Sequence, residues 1–192
     1  MNLALFDFDG TITTKDSMVD FITYAGGYKK FLPGFFLLSP ILILYKLKLI
    51  PNWKAKEIVL SYFFKGWEIK YFKNKAARYS RDELPKIIRK PALEKIEWHK
   101  AQGHRVVVVT ASIEDWVRDW CEVYSLDLIA TKLEVKNGRL TGKFLTKNCY
   151  GIEKVKRIKE KYNLEGFDQI FVYGDSSDDR EMLALADSKE PV

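Results

Sequence analysis

What this chain can fold into is limited most by three short runs, LALF at 3–6, RVVVVT at 105–110 and QIFVY at 169–173. Their apolar, largely unalternating character suits strands covered on both faces, and their length is that of a strand, not of a helix. Stretches with helical spacing lie between and after them, at 86–102, 112–124, 151–162 and 178–186, the first stopping at Gly103. Strands alternating with helices argue for a parallel sheet whose strand C-termini share one edge. In such sheets ligands bind at that edge.

The polar residues fall there. The first run stops on Asp7 and Asp9, followed by Gly10 and Thr11; the second ends in Thr110, Ala111 and Ser112; the third leads into Gly174-Asp175-Ser176-Ser177-Asp178-Asp179. Lys154 opens the helix between the last two strands. Asp-Gly after a strand is by itself a turn signal. Period two, however, puts Asp7 and Asp9 on one side of the strand, and carboxylates that close repel unless a cation offsets them. The placement points to a metal. Ser112, with Asp115 three residues on, reads as the N-cap of the helix that follows. His99 and His104 show no ligand spacing, Trp116 and Trp120 read as helix-face packing, and Cys149 as a small apolar residue.

Residues 15–84 show no strand alternation, only apolar positions at helical spacing, broken by Gly26-Gly27, Pro33-Gly34, Pro40, Pro51 and Gly66. Several short helices forming a separate lobe are expected. The segment holds 13 basic and 6 acidic residues, leaving 19 and 20 for everything else. A basic lobe beside a near-neutral one suits a small anionic substrate. Nucleic acid is the competing partner, but no recognised binding motif is present and none is expected to bind. Inside the lobe, FLPGFFLLSPILILY at 31–45 carries no charge over 15 residues, short of the ~20 a spanning helix needs. A buried pair of helices is expected for Phe31 to Tyr45; a surface-lying membrane contact and a dimer face are the alternatives. Asn137-Gly138, between Leu133-Glu134-Val135 and Leu140, marks a hairpin within 128–145. At 192 residues the chain can bury one core with a modest second lobe. Cys121 and Cys149 make no disulfide framework, and Met1 leads into the first strand without a leader pattern, so a cytoplasmic location is expected.

Four motifs occur in order: DFDGT at 7–11, VVVTAS at 107–112, the lysine of CYGIEK at 154 and GDSSDD at 174–179. With these the sequence resembles the haloacid dehalogenase superfamily, in particular its phosphoserine-phosphatase-like branch. The resemblance implies an α/β fold with a Rossmann-like parallel-sheet core, 1–14 and 85–192, and a small all-helical cap, 15–84, inserted after the first strand. It implies a Mg²⁺-dependent phosphatase that hydrolyses a small phosphomonoester through an aspartyl-phosphate. Asp7 would be the nucleophile and Asp9 the acid and base. Asp7, the backbone carbonyl of Asp9, Asp175 and Asp179 would hold the metal. Thr110, the N–H of Ala111 and Lys154 would bind the phosphoryl group. Asp16 matches an acidic substrate-reading position, whereas the family's carboxylate-binding cap arginine has no clear counterpart; Lys46, Lys48, Lys54 and Lys56 lie in that region. A phosphotransferase or mutase of the same fold, or a membrane-associated lipid-phosphate phosphatase, are the alternative functions.

Overall fold

A computed structural model describes residues 1–187; residues 188–192, the end of the expected α/β segment, lie outside the described residues. Six strands form among them: β1 (Leu3–Phe6), β2 (Arg105–Ile113), β3 (Asp127–Thr131), β4 (Leu133–Lys136), β5 (Arg139–Phe144) and β6 (Ile170–Tyr173). Four make a parallel sheet in the order β3-β2-β1-β6, and β4 and β5 make an antiparallel hairpin. Phe6 pairs with Val108 on one side and Tyr173 on the other, so β1 and β6 end level while β2 runs on past them to Ile113. The chain passes from β1 to β2 and β3 on one side and returns to β6 on the other, so the strand order reverses at β1 and its C-terminal end is a crevice for ligands.

The sheet has a fourth strand that the sequence pattern does not separate from the hairpin region. Only Lys132 stands between β3 and β4, and the half-buried start of β3 at Asp127 and Leu128 breaks the buried-strand pattern.

Both faces of the sheet are covered, and strand period sorts the side chains. Leu3, Leu5, Val107, Val109 and Val172 pack with Ile158 and Tyr162 at α7 (Ile152–Lys161) and Met182 of α8 (Arg180–Leu183). Ala4, Phe6, Val106, Val108 and Tyr173 face α5 (Lys90–Ala101), α6 (Glu114–Val123) and the inserted helices. α5 starts four residues later than its periodicity suggests, because Pro91 sits in its first turn and Arg89 before it is extended. The last helix is likewise shorter, a 3₁₀ turn at Ser177–Asp179 leading into α8.

The insert comprises α1 (Ser17–Gly26), α2 (Tyr28–Lys46), α3 (Asn52–Phe64) and α4 (Ile69–Arg78). Its apolar side is continuous with the sheet's: Phe21 stacks on Trp116 with ring centroids 4.8 Å apart and meets Phe72 edge-on. The hairpin, counted with the α/β segment by sequence, hangs on the insert. Gly66 N–H donates to Leu140 O (2.8 Å), Leu140 N–H to Trp67 O (2.9 Å) and Ile69 N–H to Gly138 O (2.9 Å).

The uncharged stretch does not form a buried pair of helices. It lies in one helix, α2, that runs through Pro33 and Pro40. Proline at 40 leaves the carbonyl of Phe36 without its helical donor, and the hydroxyl of Ser39 takes that place at 2.8 Å. One face, with Gly34 and Leu38, is buried; Leu32, Phe36, Leu37 and Ile43 are exposed.

Candidate active site

Asp7 follows β1 with the parity of Leu3 and Leu5, so its side chain turns toward α7. There the first turn of the helix presents Lys154, which is 3 % exposed and whose Nζ lies 2.5 Å from an oxygen of Asp7 and 2.5 Å from one of Asp179. Lys154 is therefore no surface lysine of α7's basic face. Both carboxylates hold its ammonium charged, against burial, and raise its pKa. Asp179, buried, accepts from the Ser176 hydroxyl (2.8 Å) and backbone N–H in a reciprocal cap of the turn after β6. Asp175 accepts from the Thr11 hydroxyl at 3.0 Å. Gly10, at φ +90°, passes so close that a Cβ there would stand 2.6 Å from the Asp175 carboxylate.

Strand period does not carry on to Asp9, because β1 ends at Phe6 and the chain turns at Gly10. The two carboxylates consequently have different partners. Asp9 accepts from the backbone N–H of Ser17 at 2.7 Å and from the hydroxyl of Ser112. Ser17 and Ser112 are hydrogen-bonded to each other (2.8 Å), and the indole N–H of Trp116 donates to Ser17 (3.2 Å). Ser112 is thus not the cap of α6. It lies inside β2, the cap position falls on Ile113, and the hydroxyl is turned to Asp9.

Burial dominates the electrostatics. It pushes the Asp7 carboxyl up to about 7 despite the nearby Lys154, with Asp179 and Asp9 adding to the rise. Asp9 is also raised, first by burial and then by Asp16, against the hydrogen bonds from Ser112 and Ser17. A site holding Asp7, Asp9, Asp175 and Asp179 against one buried ammonium has an excess of negative charge. Carboxylate oxygens of Asp7, Asp175 and Asp179 lie within 4.8 Å of one another. Such hard oxygen donors fit a Mg²⁺ ion. The side chain of Asp9 is outside this group; its expected contribution is a backbone carbonyl.

These residues line a cavity of about 200 Å³ at the strand ends, together with Thr110 and Ala111. All eight residues expected at the site, Asp16 included, come together there. Asp16 does double duty, since its carboxylate also caps α1 by accepting from Val19 N–H at 3.0 Å. Of the four lysines considered in the insert, Lys56 reaches the cavity, its Nζ 3.5 Å from the Ala111 carbonyl. Beside Ser176, the wall is completed by Tyr45, Asn52, Tyr150 and Asp178. Sequence reasoning gives none of these four a role, nor Ser17, and gives Ser112 only that of a helix cap, although Ser112 and Asp178 stand among the polar residues at the strand ends. The spacing of Tyr45, Asn52 and Ser17 carries no signal, whereas Tyr150 lies inside the CYGIEK motif and Asp178 inside GDSSDD.

The profile of the haloacid dehalogenase-like hydrolases matches residues 4–184. The chain belongs to that family. Protein CicA of Caulobacter vibrioides is 34 % identical over 189 residues, covering 97 % of this chain and 84 % of that protein. A probable phosphatase of Mycobacterium tuberculosis is 30 % identical over 121 residues, 62 % of this chain and 42 % of that one. Among solved structures, a phosphoserine phosphatase in a phospho-aspartyl intermediate analogue superposes with a TM-score of 0.69 at 23 % identity, over 97 % of this chain and 84 % of the other. The same haloacid dehalogenase-like fold underlies both, and this member is a hydrolase of that family.

Proposed function

We propose that the protein hydrolyses a small phosphomonoester, with Asp7 as nucleophile and Mg²⁺ as cofactor. The observation that carries the reading is the buried Lys154 bridging Asp7 and Asp179 beside the separately held Asp9. Mg²⁺, held by Asp7, Asp175, Asp179 and the Asp9 carbonyl, would neutralise phosphate charge so that an anionic nucleophile can approach.

An oxygen of Asp7 attacks phosphorus, the ester P–O bond breaks, and the departing alkoxide takes a proton from Asp9. Asp9, now ionised, then takes a proton from water as the water oxygen attacks phosphorus and the Asp7–phosphorus bond breaks, releasing inorganic phosphate. The raised pKa of Asp9 suits the first half, because a general acid must arrive protonated. Thr110 accepts from Ser112 N–H at 3.0 Å, which leaves its own proton to donate to a phosphoryl oxygen, as does the N–H of Ala111. Lys154 holds Asp7 in place and balances the charge of the transferred group. Lys56 and Asp16, opposite in charge, are the insert's groups for the rest of the substrate.

Asp7→Asn should abolish release of phosphate from p-nitrophenyl phosphate while circular dichroism stays native. Quenched wild-type enzyme should gain the mass of one phosphoryl group on Asp7. Turnover by the Asn variant, or a phosphoryl group on another residue, would overturn the assignment. Adding an alcohol acceptor separates hydrolysis from transfer: a phosphorylated alcohol among the products would make the protein a phosphotransferase of the same chemistry.

A further inference from the structure

We propose that the outer face of α2 docks on an anionic lipid surface, holding the mouth of the catalytic cavity at the headgroup layer. A surface helix of a soluble protein normally carries polar residues opposite its buried stripe. α2 does not. On its inner side Gly34 lets it lie against α3, a Cβ there standing 2.6 Å from the rings of Tyr62 and Phe63, while Leu38 is buried. On the other side Leu32, Phe36 and Ile43 follow one another at helical spacing, 51 %, 72 % and 56 % exposed, flanked by the exposed Phe35 and Leu37 and continued beyond the helix by Leu47 and Leu49. An uncovered apolar surface of this kind marks an interaction site.

Charge selects the occupant. From residue 21 to residue 56 there is no Asp or Glu, and the apolar stretch is bracketed by Lys29 and Lys30 at one end and Lys46 and Lys48 at the other. Apolar side chains set between lysines match a bilayer whose headgroups are anionic and whose interior accepts hydrocarbon. A second copy packed on the same face would bring like charges together without an acidic partner. Because the inner side of α2 is occupied by α3, the helix lies along the surface and does not cross it. Its last turn carries Tyr45, which lines the catalytic cavity, so docking and access to the phosphomonoester are joined at one end of the helix.

The docking is measured without turnover and so stands or falls apart from the catalytic reading. The full chain is sedimented with vesicles of phosphatidylcholine alone and of phosphatidylcholine with phosphatidylglycerol. Binding to the anionic vesicles, weakened by salt, is expected. Phe36→Glu with Ile43→Glu should weaken it by more than about tenfold, with hydrolysis of p-nitrophenyl phosphate unchanged. Val123→Glu, at an exposed apolar residue of α6, should bind as the wild type does. Failure to sediment with anionic vesicles, equal binding by the double variant, or equal binding to phosphatidylcholine alone would overturn the proposal. So would a concentration-dependent dimer in light scattering that the double variant loses, because the face would then be covered by a second copy.

Discussion

At the scale of single residues the site depends on how two neighbouring carboxylates are kept apart in task. Asp7 is tied to an ammonium and Asp9 to hydroxyl and amide donors. Ser112 is the residue through which this can be tested without touching the reacting atoms. Its hydrogen bond lowers the pKa of Asp9, so Ser112→Ala should raise it further and leave less of the ionised base that the proposed water step needs. We expect kcat to fall about tenfold and the acid limb of the pH–rate profile to move to higher pH. A change in KM alone, with the limb unmoved, would show that the hydroxyl only packs against Ser17.

At the scale of elements the hairpin is the strut between sheet and insert. Gly142 of β5, at φ +81°, lies against α3 so closely that a Cβ would stand 2.4 Å from the Cα of Ser61. Ser61 Cα is backbone within α3 and cannot rotate away. Gly142→Ala should therefore push the hairpin off α3 and cost roughly 1–3 kcal/mol, read as a lower denaturation midpoint. Glycines with open space around them, such as Gly138 and Gly66, lack that steric conflict, but their positive φ makes alanine there a strain control. A Gly142→Ala variant as stable as the wild type would mean that β5 and α3 separate freely.

For the whole molecule, the ends of β1 and β6 bring carboxylates together that repel one another. In the folded protein the Asp7 carboxyl titrates at about 7, against an ordinary value of 3.8. Between these two values the folded state binds a proton that the unfolded state does not, so the stability of the metal-free protein falls as pH rises and levels off above 7. The proposed Mg²⁺ would oppose that loss. At a hundredfold excess over its Kd it would add about 2.7 kcal/mol, and the melting temperature in Mg²⁺ over that in chelator should rise more at pH 8 than at pH 5.5. An equal shift at both would place the ion away from Asp7. The sequence by itself determined the parallel sheet, the four motifs and the residues gathered at the strand ends, because buried runs and turn residues are local features. It also marked 31–45 as apolar, but not whether that surface is covered. Composition records that side chains avoid water; only the packing of α2 on α3 shows that one face has found cover while the other has not. Tertiary structure likewise turned Ser112 from a cap into a partner of Asp9 and picked Lys56 from four lysines, since both depend on which backbone lies opposite across the fold.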